Sequence, residues 1–342
     1  MARIALDAMG GDFAPSAPVR GALLALSELS TEHRIQLVGV SSAIRESLNA
    51  ELAGDHKSFA RVIDRLDIVE AADVIDMTDK PAQSLRNKPN SSMHVGLRLQ
   101  IDGKSDAFVS AGNTGAQMAI SSYVLKLHHG LSRPAISTVF PTAHRPVVVL
   151  DSGANVDCSP QELVQFARLG AVYAEDLLGR TNPVIGLLSI GEEAEKGNAV
   201  VKETHILLAN SGLNFQGNIE GRDLPQGASD RGPFDVVVCD GFVGNVLLKF
   251  YEAVAPFLIG LAGRNAGLSQ SQLASTFKEL DYSEHGGAPL LGVKGVSIIS
   301  HGKSNPRALK SAIQVALRAV ESRMSDHVGR RLTESEAVGG TA

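Results

Sequence analysis

The chain has 342 residues, 44% apolar and 20% charged, with a formal net charge of -5, a soluble globular profile that excludes the broad basic face of a general nucleic-acid binder. Aromatic residues make up 4% with no Trp, which argues against a stacking platform for single strands. The two cysteines, Cys158 and Cys239, form no CxxC pair, so neither a disulfide framework nor a structural zinc site is expected.

The start, MARIALDAMGG, runs straight into a strand with no secretory pattern, and no continuous apolar stretch reaches the ~18 residues that span a bilayer. The expected location is the cytoplasm. In chain order, strands are expected near 3–8, 35–40, 106–111, 135–140, 146–151, 183–189, 235–239 and 296–300. Helical patterns separate most of them: 18–29, 113–127 and 160–178. The last carries Ser159 as N-cap, Pro160 at the first helical position, Glu162 closing a capping box and Gly179 at its end. Strands alternating with helices predict βαβ units and a mostly parallel sheet covered on both faces. No internal repeat and no long linker is evident, so one α/β domain with two lobes is expected over 1–330. The charged, then small-residue tail, from roughly 325 onward and over 331–342 in particular, is expected to fray.

Five apolar runs end in loops of Gly, Asn, Ser or Asp: IALDAMGGD, FVSAGNTGA, VVVLDSGAN, IGLLSIGEE and VVVCDGFVGN. In open parallel sheets ligands bind outside the carboxyl ends of the strands, and small residues with free N–H groups favour an anion. GNTGA, Gly112 to Ala116, opens a helix directly after a strand but is neither a P-loop nor GxGxxG. Arg86 and Lys88 flank the Ser91–Ser92 pair. The pair reads first as the cap of the next helix, and beside cations also as a phosphate site. Lys196 stands close behind three glutamates in GEEAEKGN; it reads either as a solvated ion-paired turn or as a clamp or nucleophile at the strand ends. Asp7, Asp12, Asp151, Asp157 and Asp240 lie at or near strand ends, better placed to accept loop N–H groups than to hold Mg²⁺, and no metal motif is present. GxSxG is absent.

A helical pattern from 247 to 261 gathers Leu247, Phe250, Tyr251, Val254, Phe257, Leu258 and Leu261 on one face, opposite Lys249, Glu252, Pro256 and Gly260. A second helix, capped by Ser269 with Gln272, runs to about Leu280, making a hairpin over about 245–281. Two compatible readings stand side by side. The hairpin packs on the core or on a second subunit, or its tip touches a membrane or holds an acyl chain.

IALDAMGGDFAP, NSSM, SAGNTGA, DSGANVDCSP, GLLSIGEEAEKGN, CDGFVGN and EHGGAPLLG, in this order from about residue 3 to about 320, resemble the bacterial acyl-ACP:phosphate acyltransferase family of phospholipid synthesis. The resemblance implies a three-layer α/β/α fold with a mostly parallel mixed sheet, of the isocitrate/isopropylmalate dehydrogenase-like kind shared with phosphotransacetylases. It implies transfer of a long-chain acyl group from acyl-ACP to inorganic phosphate, giving acyl phosphate and free ACP, with no cofactor. It also implies a homodimer in peripheral contact with the membrane, where the glycerol-3-phosphate acyltransferase is a possible partner, and no nucleic acid.

The residues to which this chemistry falls are Lys196, Asn245 and Lys88 as the catalytic set. Asp7, Gly10, Gly11, Ser91, Ser92, Gly112, Asn113, Thr114, Gly115, Asn155 and Gly241 would hold phosphate and substrate, with Val254, Phe257, Leu258 and Leu261 facing acyl chain or membrane. Lys196 matches the lysine of the family's KGN motif, which leaves an acyl-lysine and direct attack by phosphate both open. Two positions depart from the family: Phe13 stands where His often follows GGD, and Cys239 where Thr or Ser precedes DGF. A dehydrogenase of the same fold would need a nucleotide motif that is absent. A phosphotransacetylase-like acyl-CoA:phosphate transferase is the alternative, and a membrane scaffold would have no use for convergent anion-binding loops.

Overall fold

The computed structural model describes residues 1–53, 57–265 and 286–339. In chain order the strands are β1 (Arg3–Asp7), β2 (Arg34–Gly39), β3 (Leu66–Glu70), β4 (Ala107–Ser110), β5 (Ala135–Ile136), β6 (Thr138–Phe140), β7 (Val147–Leu150), β8 (Ile185–Ser189), β9 (Phe215–Glu220), β10 (Ala228–Ser229), β11 (Gly232–Pro233), β12 (Val236–Val238), β13 (Ala288–Leu291) and β14 (Ser297–Ile299). The α-helices are α1 (Ser16–Glu28), α2 (Ser41–Ala53), α3 (Pro81–Asn87), α4 (Ser92–Ile101), α5 (Thr114–Val124), α6 (Pro160–Leu178), α7 (Ala199–Ala209), α8 (Gly241–Asn265), α9 (Pro306–Glu321) and α10 (Met324–Gly339). They form two compact units, the first from Met1–His128 and His285–Asp326, the second from His129–Glu284 and His327–Ala342.

In the first unit the strands run in the order β3-β2-β1-β4-β14-β13, parallel except where β13 meets β14. The pleat sends alternate side chains to opposite faces. Phe108 and its register partner Ser297 point to one face, where Phe108 lies against Gly96 of α4 and Ser297 accepts from Gln117 of α5 at 3.1 Å. On α1, Gly21 brings that helix close to α9: a Cβ there would stand 2.8 Å from Leu309 Cβ. Ile4, Leu6, Leu37, Val109 and Ile298 are wholly buried between such layers.

In the second unit the order is β6-β7-β12-β8-β9, parallel except for β6 on β7. Val236 and Leu150 face α6, whose Gly170 would place a Cβ 2.6 and 2.7 Å from them. Val149, Val237, Phe140 and Phe234 face the other way and pack with Leu247, Leu248 and Tyr251 of α8. Tyr251 meets Phe140 edge-on at 4.8 Å between ring centroids. Each apolar run read as a two-sided strand is therefore covered on both faces.

Three expectations change. The tail expected to fray is helical to Gly339, because Met324, Val328 and Leu332 recur every fourth residue and are buried. Arg331 and His327 tie it to α6, with Arg331 Nη2 2.7 Å from Glu175 and His327 Nδ1 2.9 Å from Asp176. Second, Gly241–Gly263 of α8 is long and apolar enough to cross a membrane by length and composition. Lys249 and Glu252 broke that run in sequence, but along the helix they form an ion pair of 2.8 Å. One such helix does not establish a span, and its Leu247, Leu248 and Tyr251 pack on the core. Third, the face read as uniform over 247–261 divides: Leu247 and Tyr251 turn inward while Phe250 is exposed. The second arm, expected at 269–280, lies outside the described residues.

Candidate active site

In the first unit the loops after β1 and β4 leave adjacent parallel strands and are locked together by one carboxylate. Asp7 is buried, and Ser110 Oγ donates to its Oδ2 at 2.6 Å while Met9 N donates to Oδ1 at 3.0 Å. Ser92 and the Gly10 amide donate as well, yet burial dominates and pushes the Asp7 carboxyl above its ordinary value. Ser110 Oγ in turn accepts from Gly112 N at 3.0 Å, which joins the start of GNTGA to β1. There is no room for side chains here: a Cβ on Gly10 would stand 2.6 Å from Asp7 Oδ2 and 2.8 Å from Gly112 N, and one on Gly112 2.5 Å from Met93 Cε. Gly11 has φ +98 and sits against the Gly302 carbonyl, which accepts from Asp12 N at 2.8 Å.

Asn113 is the N-cap of α5, its Oδ1 accepting from Ala116 N at 3.0 Å. Its Nδ2 donates to the carbonyls of Met77 at 3.0 Å and Asp79 at 2.9 Å, holding the turn before α3. Thr114 begins the helix and is exposed, while Gly115 lies under Pro81. The loop therefore presents a helix N-terminus and its positive dipole end on a backbone fixed from below.

The Ser91–Ser92 pair divides its labour. Ser91 caps α4 and meets His94 Nδ1 at 3.0 Å, and burial, then Arg98, holds His94 below its ordinary value. Ser92 serves Asp7. Lys88 is already engaged: its Nζ donates to Asp79 Oδ2 at 2.6 Å and to the Val74 carbonyl at 2.7 Å. That pairing raises the Lys88 ammonium and lowers Asp79, and it braces the turn that Asn113 holds.

The second unit repeats the device. Asp151, wholly buried after β7, accepts at Oδ1 from Ile136 N at 3.1 Å, Gly153 N at 3.2 Å and Ala154 N at 3.0 Å. Its Oδ2 accepts from Asn155 N at 2.6 Å and Asn155 Nδ2 at 2.8 Å, and burial again raises the carboxyl. Asn155 passes the link on, its carbonyl accepting from Gly241 N at 2.7 Å. A Cβ on Gly241 would stand 2.6 Å from that carbonyl, and one on Gly244 1.9 Å from the Asp151 carbonyl. Asp240 Oδ1 accepts from Val243 N at 2.8 Å and starts α8. Asn245, exposed one turn on, lies over Gly153, whose φ is +127.

β8 stands beside β12 in the same sheet, so GEEAEKGN leaves the same edge as these two loops. Lys196 is exposed; its N–H donates to the Glu193 carbonyl at 3.0 Å and its stem crosses Gly191. Asn198 caps α7 by accepting from Val201 N at 2.9 Å. On α8, Phe257 and Leu258 are exposed and Val254 and Leu261 half-buried. Phe242, Val246 and Phe250 extend the exposed apolar surface at four-residue spacing.

Asp7, Asp151 and Asp240 thus receive loop N–H groups, the use expected of strand-end acids. Sequence reasoning passed over Ser110, Gly153 and Gly244, though a Ser ending a strand beside a buried Asp and a second Gly in DGFVGN were available signals. Among the described residues no three His, Cys, Asp or Glu side chains stand together as a metal site requires.

Similarities to known proteins follow the same lines. A fatty acid synthesis protein family model matches residues 2–327. The chain is 44% identical over 347 residues to a phosphate acyltransferase from Desulforamulus reducens, with 99% of each chain covered. Among solved structures, a branched-chain phosphotransacylase from Enterococcus faecalis V583 has a similar fold, with TM-score 0.60 at 16% identity over 94% of this chain and 99% of that one. A 4-hydroxythreonine-4-phosphate dehydrogenase from Klebsiella pneumoniae gives TM-score 0.50 at 14% identity, covering 94% and 98%. The last two show the fold alone, the phosphotransacetylase- and dehydrogenase-like architecture expected of it.

Proposed function

The chain belongs to the phosphate acyltransferase family, and on that premise we propose that it moves a long-chain acyl group from the thioester of acyl carrier protein to inorganic phosphate. The products are acyl phosphate and free carrier. The observation that carries the reading is family likeness over nearly the whole chain, 44% identity with 99% covered. The chemistry of the loops supports it. Phosphate near pH 7 is already a dianion or monoanion and needs a seat more than a base. The dipole end of α5 at Thr114, with Gly112, Asn113 and Gly115 shaping the approach, suits that task, as does the loop of Gly10 and Gly11. The loop N–H groups around Gly241 are spent on Asn155 and Asp240, so the exposed amide of Asn245, over Gly153 at the start of α8, is the group that suits the oxyanion forming on the thioester carbonyl.

Lys196, exposed in its loop, is read as the cation that meets charge developing at the reacting carbonyl. Direct attack by phosphate fits better than an acyl-lysine, because an acyl-lysine is an amide and surrenders its acyl group to phosphate only uphill, whereas the thioester is already activated. Lys88, paired with Asp79, is read as a brace of the phosphate loop. A homodimer, a peripheral membrane contact and handover to a membrane glycerol-3-phosphate acyltransferase belong to the same proposal, supported by the apolar residues that α8 exposes.

The test is phosphate-dependent release of free carrier from palmitoyl-ACP, with acyl phosphate trapped by hydroxylamine, for wild type and Lys196→Ala. Stoichiometric acyl phosphate from wild type and a loss of about 100-fold or more in the folded variant are expected. Turnover of acetyl-CoA but not of the carrier thioester would replace this reading with the acyl-CoA alternative. A fully active variant would remove Lys196 from the site.

A further inference from the structure

The loop that carries Lys196 hangs from a buried asparagine on the neighbouring strand. Asn218 lies on β9 in register with Leu187 of β8 and is wholly buried. An amide in the interior costs free energy unless both its ends are matched. Here both are. Asn218 Oδ1 and His205 Nδ1 of α7 are 2.9 Å apart, and since the amide oxygen only accepts, the ring nitrogen donates. Asn218 Nδ2 donates to the Glu193 carbonyl at 2.8 Å. That same carbonyl accepts from Lys196 N at 3.0 Å. One oxygen therefore joins the buried amide to the lysine backbone.

Beyond the backbone, the lysine stem has a bed of its own: a Cβ on Gly191 would stand 2.8 Å from Lys196 Cγ and 3.3 Å from Cδ. The adjacent carbonyl, Glu192, is held by Arg231, whose Nη2 donates to it at 2.9 Å while Nη1 donates to the Gln216 carbonyl at 2.9 Å. Two successive carbonyls of an exposed loop are thus fixed by side chains from elsewhere, Asn218 of β9 and Arg231 of the turn between β10 and β11. Ordinary surface turns close on themselves or on water, and this one is suspended from the interior.

We propose that Asn218 is a positioning residue for Lys196: through the Glu193 carbonyl it sets where the lysine leaves the loop, and His205 sets which end of the amide faces that carbonyl. The inference rests on the reading of Lys196 as the cation that serves acyl transfer. It adds that the reach of this cation is set in the core of the second unit.

Asn218→Asp is the test variant, because it keeps the shape and the contact with His205 but turns an acceptor toward the Glu193 carbonyl. Steady-state kinetics with palmitoyl-ACP and phosphate are expected to show kcat lowered about 10- to 100-fold, the range seen when groups that orient a functional side chain are removed. KM for phosphate is expected to stay within about twofold, because the loss falls on charge that develops only in the transition state. Hydrogen–deuterium exchange should quicken in the peptide 191–198 while the strands keep their protection. In a Lys196→Ala background the same change should cost nothing further.

An equal loss in both backgrounds, an unchanged kcat in the wild-type background, or unchanged exchange at 191–198 would overturn the proposal. Full activity of Lys196→Ala by itself would instead overturn the reading of Lys196, and the inference with it. Where Lys196→Ala leaves too little activity to compare, the exchange of 191–198 decides. If Asn218→Asp does not fold, Asn218→Ala removes the donor without adding charge and is judged by the same measurements.

Discussion

At the scale of single residues, burial decides which polar groups are chemistry and which are framework. Asp7 and Asp151 are hidden and fully engaged by donors, so they fix loops and leave little for a substrate to touch. Cys158 sits next to one such knot, its Sγ 3.5 Å from the Asn155 carbonyl. Burial first, then the neighbouring carboxylates Asp151, Glu162 and Asp240, push its thiol up to about 12 against the pull of the Gly241 amide. A raised thiol is a protonated thiol, so at pH 7 only about one part in 10⁵ is the nucleophilic thiolate. Alkylation of Cys158 by iodoacetamide should therefore climb about tenfold per pH unit from 7 to 10 without levelling, followed by peptide mass spectrometry. A plateau near pH 8 to 9 would mean an ordinary thiol. Cys158→Ser should keep acyl transfer within about twofold of wild type. Residue roles of this kind were half legible in sequence. Asp7, GNTGA and KGN announce themselves by sitting after apolar runs, whereas Asn218 is one polar letter inside a strand and acquires meaning only from His205 and Glu193, far from it in sequence.

At the scale of elements, α8 asks opposite things of its two ends. At its start Gly244 presses on the Asp151 carbonyl, and at Gly260 a Cβ would meet nothing within 4 Å among the described residues. Gly244→Ala should destabilise the protein by about 1–3 kcal/mol, because a backbone oxygen cannot step aside. Gly260→Ala should stabilise the helix by about 0.5–1 kcal/mol, because Ala gives up less backbone entropy in a helix than Gly. Thermal melts of the two variants check this, and a shift of the same sign in both would contradict the packing described. Elements with strong local signals were readable: α6 shows the predicted Ser159–Glu162 capping box and the left-handed Gly179 at its end. β9, FQGNIE, was not, since Gln216, Gly217 and Asn218 interrupt the apolar run and a register shift at Ile185/Gly186 breaks its alternation against β8. β13, with Pro289 in a four-residue strand, was hidden for the same reason. The helical tail escaped because its apolar residues, Met324, Val328 and Leu332, are outnumbered by charges that pair only once the chain is folded.

At the scale of the whole molecule, chain order and spatial order part company, and no periodicity reports that. The first unit is assembled from residues 1–128 and 285–326. Its β4 takes β1 on one side and β14 on the other, and α1 packs on α9 through Gly21 and Leu309. A fragment ending at residue 128 would keep β4 as a bare apolar edge and leave α1 without its partner, so it should not melt cooperatively. The missing segment can be supplied in a different order. Met1 N pairs with Glu32 at 3.3 Å, Ala2 N donates to His33 Nδ1 at 3.2 Å, and His33 Nε2 lies 3.8 Å from Glu321 at the end of α9. Ala2 and Glu321 at the end of α9 thus meet at the same histidine, so the residues that follow Glu321, extended by a short Gly/Ser linker, can return to Met1. A permuted chain of 286–326, linker and 1–128 should fold with a single thermal transition and protected amides in β1, β4 and β14, while 1–128 alone gives none. A cooperative melt of 1–128 by itself would mean that its core is complete without α9 and β14, against the burial of Leu309, Ile313, Ala316 and Ile298 in that unit.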